Sequence, residues 1–270
     1  MSRRGAVPLA LGLAILLAMA FLAVAAPLLG GDRDPGLILP AERALGPSFA
    51  RPFGTDLLGR DLFTRVLYGA RVSLLVGLGV ALAATAAGTI IGMIAGYVRG
   101  LDGVIMRLID GLMSIPPVLL AVTLMAVMRG SLWNVIAAIT LAELPRVARL
   151  ARASVQTVRG QIFVQAAIVS GAPTTTILLR HILPNIAASL FVQASFIGAS
   201  AIMLEAVLSF IGAGIPPTIP SWGNIMAEGR SLWQVKPHIL AFPALFLCVT
   251  VLGVNLVGDA LRDRFDPRGA

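Results

Sequence analysis

Apolar runs separated by short polar segments divide the chain. The first, Val7 to Leu29, carries no charge and is long enough to cross a bilayer as a helix, which takes about 20 apolar residues. Its small-residue stretch Ala23-Val24-Ala25 resembles a signal-peptidase site. The run is longer than the roughly 7–15 apolar residues of a signal peptide, which favours an uncleaved anchor. Gly30 to Pro52, rich in Pro, Gly and charge, reads as an external loop. From Thr55 the spacing predicts an amphipathic helix lying along the membrane surface. Leu58, Leu62, Val66 and Gly69 share its stripe, and Asp56/Arg60 and Asp61/Arg65 stand four residues apart. Residues 1–72 thus form an N-terminal unit ahead of a core expected over 73–258 and a short tail over 259–270.

Within the core, Ser73 to Val98 is the second span, and Gly88, Gly92 and Gly96 recur every fourth residue on one face. Such a ladder lets another helix approach closely. Arg99 to Asp110 reads as a short charged loop. Gly111 to Met128 is the third span, opening on Pro116-Pro117, which should distort its first turns. A fourth span, 132–150, runs through Glu143 and Pro145 into Arg146, Arg149 and Arg152, so its end is expected to project from the bilayer. Pro184 to Ile211 and Ile239 to Val257 are the fifth and sixth, separated by the Gly- and Pro-rich loop Gly212 to Pro237 with Trp222 and Trp233. The expected class is an all-α integral membrane bundle of six transmembrane helices.

Charge orients it. No acidic residue lies between Glu143 and Glu205, whereas Arg146, Arg149, Arg152, Arg159 and Arg180 all fall in the segment joining spans four and five. The positive-inside rule makes that segment cytosolic. Counting spans both ways then places Arg3 and Arg4, and also Arg262, Arg264 and Arg268, on the same side, with both termini cytosolic.

Composition narrows the function. Of 270 residues 57% are hydrophobic and 13% charged, against about 25% charged in a soluble domain. A net charge of +8 does not point to nucleic acid, because no solvated domain exists to carry a basic patch. The single cysteine, Cys248, sits in an apolar run and permits neither a disulfide framework nor a cysteine metal cluster. The sole lysine, Lys236, lies between Val235 and Pro237, so there is no phosphate-binding loop. His181 and His238 fall at opposite membrane faces, and neither a zinc-protease pair nor a hydrolase nucleophile signature occurs. No catalytic residue, metal site or resident cofactor is expected. Glu205, near the outer end of span five, and Glu143 suit either structural hydrogen bonding within the bundle or the transport pathway, and Glu143 also stands within reach of Arg146 and Arg149.

Arg146 to Leu183 is too long for a mere turn between spans. Its centre, Gln165 to Pro184, reads as a helix ending at Gly171 and a second one starting at Pro173, hence an elbow within a loop over 151–183. Ala166, Ala167 and Gly171 keep one side of it thin, which suits a groove on another protein; a plain hairpin covering the bundle end is the alternative. The stretch resembles the cytosolic loop of binding-protein-dependent ABC importer permeases, whose pattern is Glu-Ala-Ala, then Gly, then a hydrophobic residue and Leu-Pro. Ala166, Ala167, Gly171, Ile182, Leu183 and Pro184 match, with Gln165 in place of the glutamate. Phe53 to Gly77, Ser209 to Arg230 and Asn255 to Pro267 are likewise similar to the dipeptide, oligopeptide and nickel permease subfamily.

The resemblance implies a permease in the bacterial cytoplasmic membrane that couples to a separate ATPase through Gln165, Ala166, Ala167, Gly171, Ala172, Pro173, Ile182, Leu183 and Pro184. It further implies one or two cytosolic ATPase subunits binding ATP and magnesium, a second permease subunit, and an extracytoplasmic solute-binding protein. Peptides are the substrate it favours. A nickel or other small-solute importer, and an ion-coupled carrier using Glu205 or Glu143, are the rival readings; the carrier leaves the elbow unexplained.

Overall fold

A computed structural model describes residues 3–31 and 33–265, with no strand among them. The tail end 266–270, including Arg268, and the side chains of Arg3 and Arg4 lie outside the described residues. Helix α1 (Arg3–Leu29) lies along α10 (His238–Phe265). The axis of the bundle is α2 (Leu62–Tyr97), whose 36 residues reach about 54 Å, well beyond a hydrocarbon core of about 30 Å. Against α2 pack α5 (Leu132–Arg159) on one side and α8 (Leu183–Phe210) on another.

The core follows that arrangement. Val76, Val80, Ile139, Val147, Ile186 and Ile197 fill the space between α2, α5 and α8. A smaller cluster of Leu62, Val66, Trp222 and Ile225 joins the start of α2 to α9 (Trp222–Gly229).

Several elements differ from the sequence expectation. Thr55 to Asp61 is not helical: Gly59 has φ +77°, a conformation that L side chains rarely adopt, and the turn places Asp61 as the cap of α2, accepting from the Thr64 amide at 2.8 Å. The helix beginning there is continuous with span two, so there is no separate surface helix and α2 runs through position 72/73. Of the anticipated ion pairs, Asp56 and Arg60 do meet at 2.7 Å. Asp61 pairs instead with Arg33 and Arg51, at 3.0 and 3.1 Å.

The supposed charged loop Arg99 to Asp110 is helix α3 (Arg99–Met113), whose two acidic residues are occupied by α5: Asp102 meets Arg152 at 2.5 Å and Asp110 meets Arg149 at 2.6 Å. The third span contracts to α4 (Pro117–Val127), only 11 residues or about 16 Å, bent 88° from α3 at the Pro116-Pro117 break. The fourth element continues past 150 to Arg159, and α10 continues to Phe265, so the polar tail starts inside a helix. By length and apolarity four helices can cross a membrane, or five if the bent pair α3 and α4 is one crossing. Helix α5 falls outside that count because charged residues fill its second half.

Candidate functional site

The glycine ladder is a contact seam. A Cβ at Gly88 would lie 2.5 Å from Val147 Cβ, one at Gly92 would overlap the Ala148 carbonyl and come 2.6 Å from Ala151 Cβ, and one at Gly96 would meet Val155 Cβ at 2.9 Å. Each value is shorter than two carbons tolerate, so α2 and α5 touch backbone to side chain along three turns.

Beyond the seam the chain makes the elbow. Helix α6 (Ile162–Val169) follows α5 after Gly160 and Gln161. It ends in a Schellman closure: the Gly171 amide donates to Ile168 O at 3.0 Å and the Ala172 amide to Ala167 O at 3.1 Å. Gly171 has φ +75°, as the closure requires. Pro173 then caps α7 (Thr174–Thr176), a π-helical turn occupies Ile177–Ile182, and α8 starts at Leu183 with Pro184 in its first turn. Val164, Ile177 and Ile182 are buried and anchor the elbow, and Ala167, Ala172 and Leu183 pack partly against the same core.

The opposite face is open, with Ile162 and Val169 each 87% exposed. Of the two alanines, Ala166 faces outward and Ala167 leans on the chain's own core. Gln165, in the position where the resemblance calls for a carboxylate, donates its side-chain amide to the carbonyl of Arg159, the last residue of α5, at 2.9 Å.

Glu143 and Glu205 are both fully buried, and each accepts from a hydroxyl. Glu143 accepts from Ser200 at 2.7 Å and from Arg146 at 3.2 Å, joining α5 to α8. Glu205 accepts from Ser209 at 2.8 Å and from Ser73 of α2 at 3.4 Å. Between α2 and α8 an apolar cavity of about 1150 Å³ opens on the bundle flank, lined by residues such as Leu78, Leu82 and Phe191. Thr89 lines it as well, and its buried hydroxyl has no partner among the described residues.

At the end opposite the elbow, the loops form a charged cap that sequence reading did not foresee. The Asp56 carboxylate is buried and receives Arg60 Nε at 2.7 Å, the Arg65 guanidinium, and the amides of Leu58 and Arg60 at 2.8 and 3.0 Å. Glu228 of α9 completes the cluster, accepting from Arg60 Nη2 and Arg65 Nη1, each at 2.6 Å. Trp222 donates its indole N–H to Val66 O at 3.0 Å, and the Asn224 amide donates to the carbonyls of Ile215, Pro216 and Ile219. The sequence anticipated the Asp56–Arg60 pair but not the arrival of Glu228, which lies 163 residues from Arg65 with no local spacing rule to connect them.

Comparison with known proteins gives a concordant picture. The family described as "Binding-protein-dependent transport system inner membrane component" matches residues 88–269. A protein of Sinorhizobium fredii named "probable peptide ABC transporter permease" is 51% identical over 258 residues, covering 96% of this chain and 88% of that one. The dipeptide transport system permease protein DppC of Alkalihalophilus pseudofirmus is 39% identical, with 95% and 84% covered. The glutathione transport system permease protein GsiD of Escherichia coli is 42% identical over 224 residues, with 83% and 74% covered.

Proposed function

Because this chain belongs to the binding-protein-dependent transport system inner membrane component family, we propose that it imports di- or oligopeptides as one of two permease halves, driven by a cytosolic ATPase that docks on the elbow. The observation that carries the docking is α6 itself. It is anchored by one buried residue, Val164, yet presents Ile162, Ala166 and Val169 to solvent, an arrangement that makes sense for a helix seated in a partner's groove. Peptide as substrate rests on the names of the relatives, two of which are described as peptide or dipeptide permeases.

The elbow works as a lever in this reading. The Schellman closure at Gly171 fixes the angle between α6 and the start of α8, while Gln165 ties α6 to the end of α5. Pressure on α6 when the ATPase closes therefore displaces α5 and α8 together, and the seam at Gly88, Gly92 and Gly96 carries the movement into α2. Glu143, which joins α5 to α8, keeps the pair in register. The apolar cavity between α2 and α8 supplies a flank for the second permease subunit, and a solute-binding protein delivers substrate to the charged cap. ATP and magnesium belong to the ATPase.

Placing the elbow in the cytosol puts the cap outside. Six crossings follow if α5 is counted together with the α3/α4 pair, with both termini cytosolic and the anchor, core and tail divided at 1–72, 73–258 and 259–270. The test uses Ala166→Asp and Gly171→Val. Both are expected to insert, since neither side chain has a neighbour inside the bundle to displace; at Gly171 a Cβ meets nothing within 4 Å, and the valine strains only the φ +75° closure of the elbow. Both should lower ATPase co-purification or substrate-stimulated hydrolysis about tenfold or more, normalised to inserted permease. Unchanged values would remove the elbow from the coupling path.

A further inference from the structure

A second site lies beside the elbow, with Gln165 at the edge of the docking face forming part of its wall. Where α2 ends and α3 begins, a polar cavity of about 290 Å³ is bounded by Ala95, Gly96, Arg99, Asp102, Arg159 and Gln165. Two guanidiniums face it. Arg159 Nη1 donates to Tyr97 O at 2.9 Å and its guanidinium lies 4.9 Å from the Tyr97 ring centroid, but it meets no carboxylate among the described residues. Arg99 makes no hydrogen bond or ion pair among the described residues. The one carboxylate in the wall, Asp102, is held by both Arg152 Nε and Nη2, at 2.5 and 2.6 Å, so its charge is already matched. Gln165 is neutral and uses its amide on Arg159 O. The cavity therefore carries close to two uncompensated positive charges.

The surroundings say which anion fits. Helix α3 leaves the cavity at 88° to α4 and so lies across the bundle end. It is seated on α5 by the Asp102–Arg152 and Asp110–Arg149 pairs and by buried Ile109. Its other side exposes Leu101, Val104 and Leu108 at 47, 61 and 68%. An in-plane helix with an apolar stripe and a cationic pocket at its start is suited to the boundary between headgroups and acyl chains. We propose that Arg99 and Arg159 bind a phosphate group, and that its source is the headgroup of an anionic phospholipid whose chains lie along Leu101, Val104 and Leu108. A phosphate offers several acceptor oxygens to two guanidinium forks. Gln165 leaves the site open: a carboxylate at that position would place a competing negative charge in the wall. The inference rests on the membrane placement proposed above, but not on the ATPase.

The experiment compares the full-length permease complex in nanodiscs of phosphatidylcholine with and without phosphatidylglycerol, reading lipid retained in native mass spectra and the thermal midpoint. Two guanidiniums at headgroup level are expected to favour phosphatidylglycerol roughly tenfold. Arg99→Gln, whose side chain makes no other bond, and Gln165→Glu should each bring retention near parity and erase the midpoint shift. A third arm adds inorganic phosphate to phosphatidylcholine discs. No shift there supports the lipid as source, and a shift equal to that of phosphatidylglycerol overturns the lipid while keeping the phosphate chemistry. Wild-type retention that shows no preference, or a preference that Arg99→Gln leaves intact, overturns the site. So does weakened ATPase binding by Arg99→Gln with lipid retention unchanged, which would assign the cavity to a partner's carboxylate.

Discussion

The two ends of the bundle are built on opposite plans. At the cap, Asp56, Arg60, Arg65 and Glu228 take up one another's charges in a buried cluster, and Trp222 and Asn224 bind backbone carbonyls of the elements around them. Most polar groups of that end find partners within the chain, Arg65 Nε and Thr64 Oγ1 being without one among the described residues. At the elbow, α6 buries one residue and turns aliphatic side chains outward, and the neighbouring cavity holds two guanidiniums without carboxylates. A surface that satisfies itself holds a fixed shape, whereas one left incomplete is finished by what binds it. Under the proposed docking, the comparison assigns the two ends different work: the charged cap is the fixed point for the helices, and the open elbow is where force enters.

Cutting the frame should produce the largest effect. Asp56→Ala leaves Arg60 and Arg65 facing only Glu228 and strands buried positive charge, which costs about 3–5 kcal/mol when one partner of a buried pair is removed. The variant is expected to give little monodisperse permease and a thermal midpoint far below wild type, measured in the same detergent as Ala166→Asp, which should melt like wild type. If Asp56→Ala melts normally, the cap is not the fixed point and the contrast between the two ends fails.

The seam between them should respond less strongly. Leucine at Gly92 must push α2 away from the Ala148 carbonyl and Ala151, and overpacking of this kind costs about 1–3 kcal/mol. Assembled complex should fall in yield, with the lost stability tracking the lost uptake, unlike Ala166→Asp, where uptake is lost without stability. An Ala control at Gly92 should show a smaller loss in the same direction. Full assembly of Gly92→Leu would mean that α2 and α5 are free to separate, and the lever would have no route to α2.

How much of this was legible in the sequence differs between the same two ends. The elbow is local: Gly171, Pro173 and the small residues around them lie within a dozen positions, so closure rules alone located the turn, at which Gly171 has a positive φ. The seam was legible for the same reason, as a fourfold glycine spacing. The sequence offered Glu143 both Arg146 and Arg149, and Arg146, three residues on, is the one it meets. The cap was not legible, because Glu228 reaches Arg60 and Arg65 from a distant loop and the amphipathic pattern after Thr55 suggested a helix that Gly59 forbids. Helix α3 was hidden for another reason: Asp102 and Asp110 look like loop residues until α5 supplies their arginines.

The mildest perturbation, single cysteines that change no packing, decides whether cap and elbow really face opposite sides of the membrane. The question turns on α5. Its second half carries Arg146, Arg149, Arg152 and Arg159 and cannot lie in hydrocarbon, yet its first half, Leu132 to Pro145, is about 21 Å long and is packed against α2, enough to cross most of the core with its single carboxylate bonded to Ser200 and Arg146. If α5 crosses, Gly130 and Thr157 stand on opposite sides. With exposed Cys248 replaced, a membrane-impermeant maleimide should label cysteines at Ser48, Gly130 and Ser231 in intact cells, and a cysteine at Thr157 only after permeabilisation. Ser221 is unsuited to the test despite its place in the outer loop, because it is buried and its hydroxyl caps α9. Labelling of Gly130 and Thr157 from the same side would reduce the crossings to an odd number, put the chain ends on opposite faces, and break the assignment of the charged end to the outside and the open end to the cytosol.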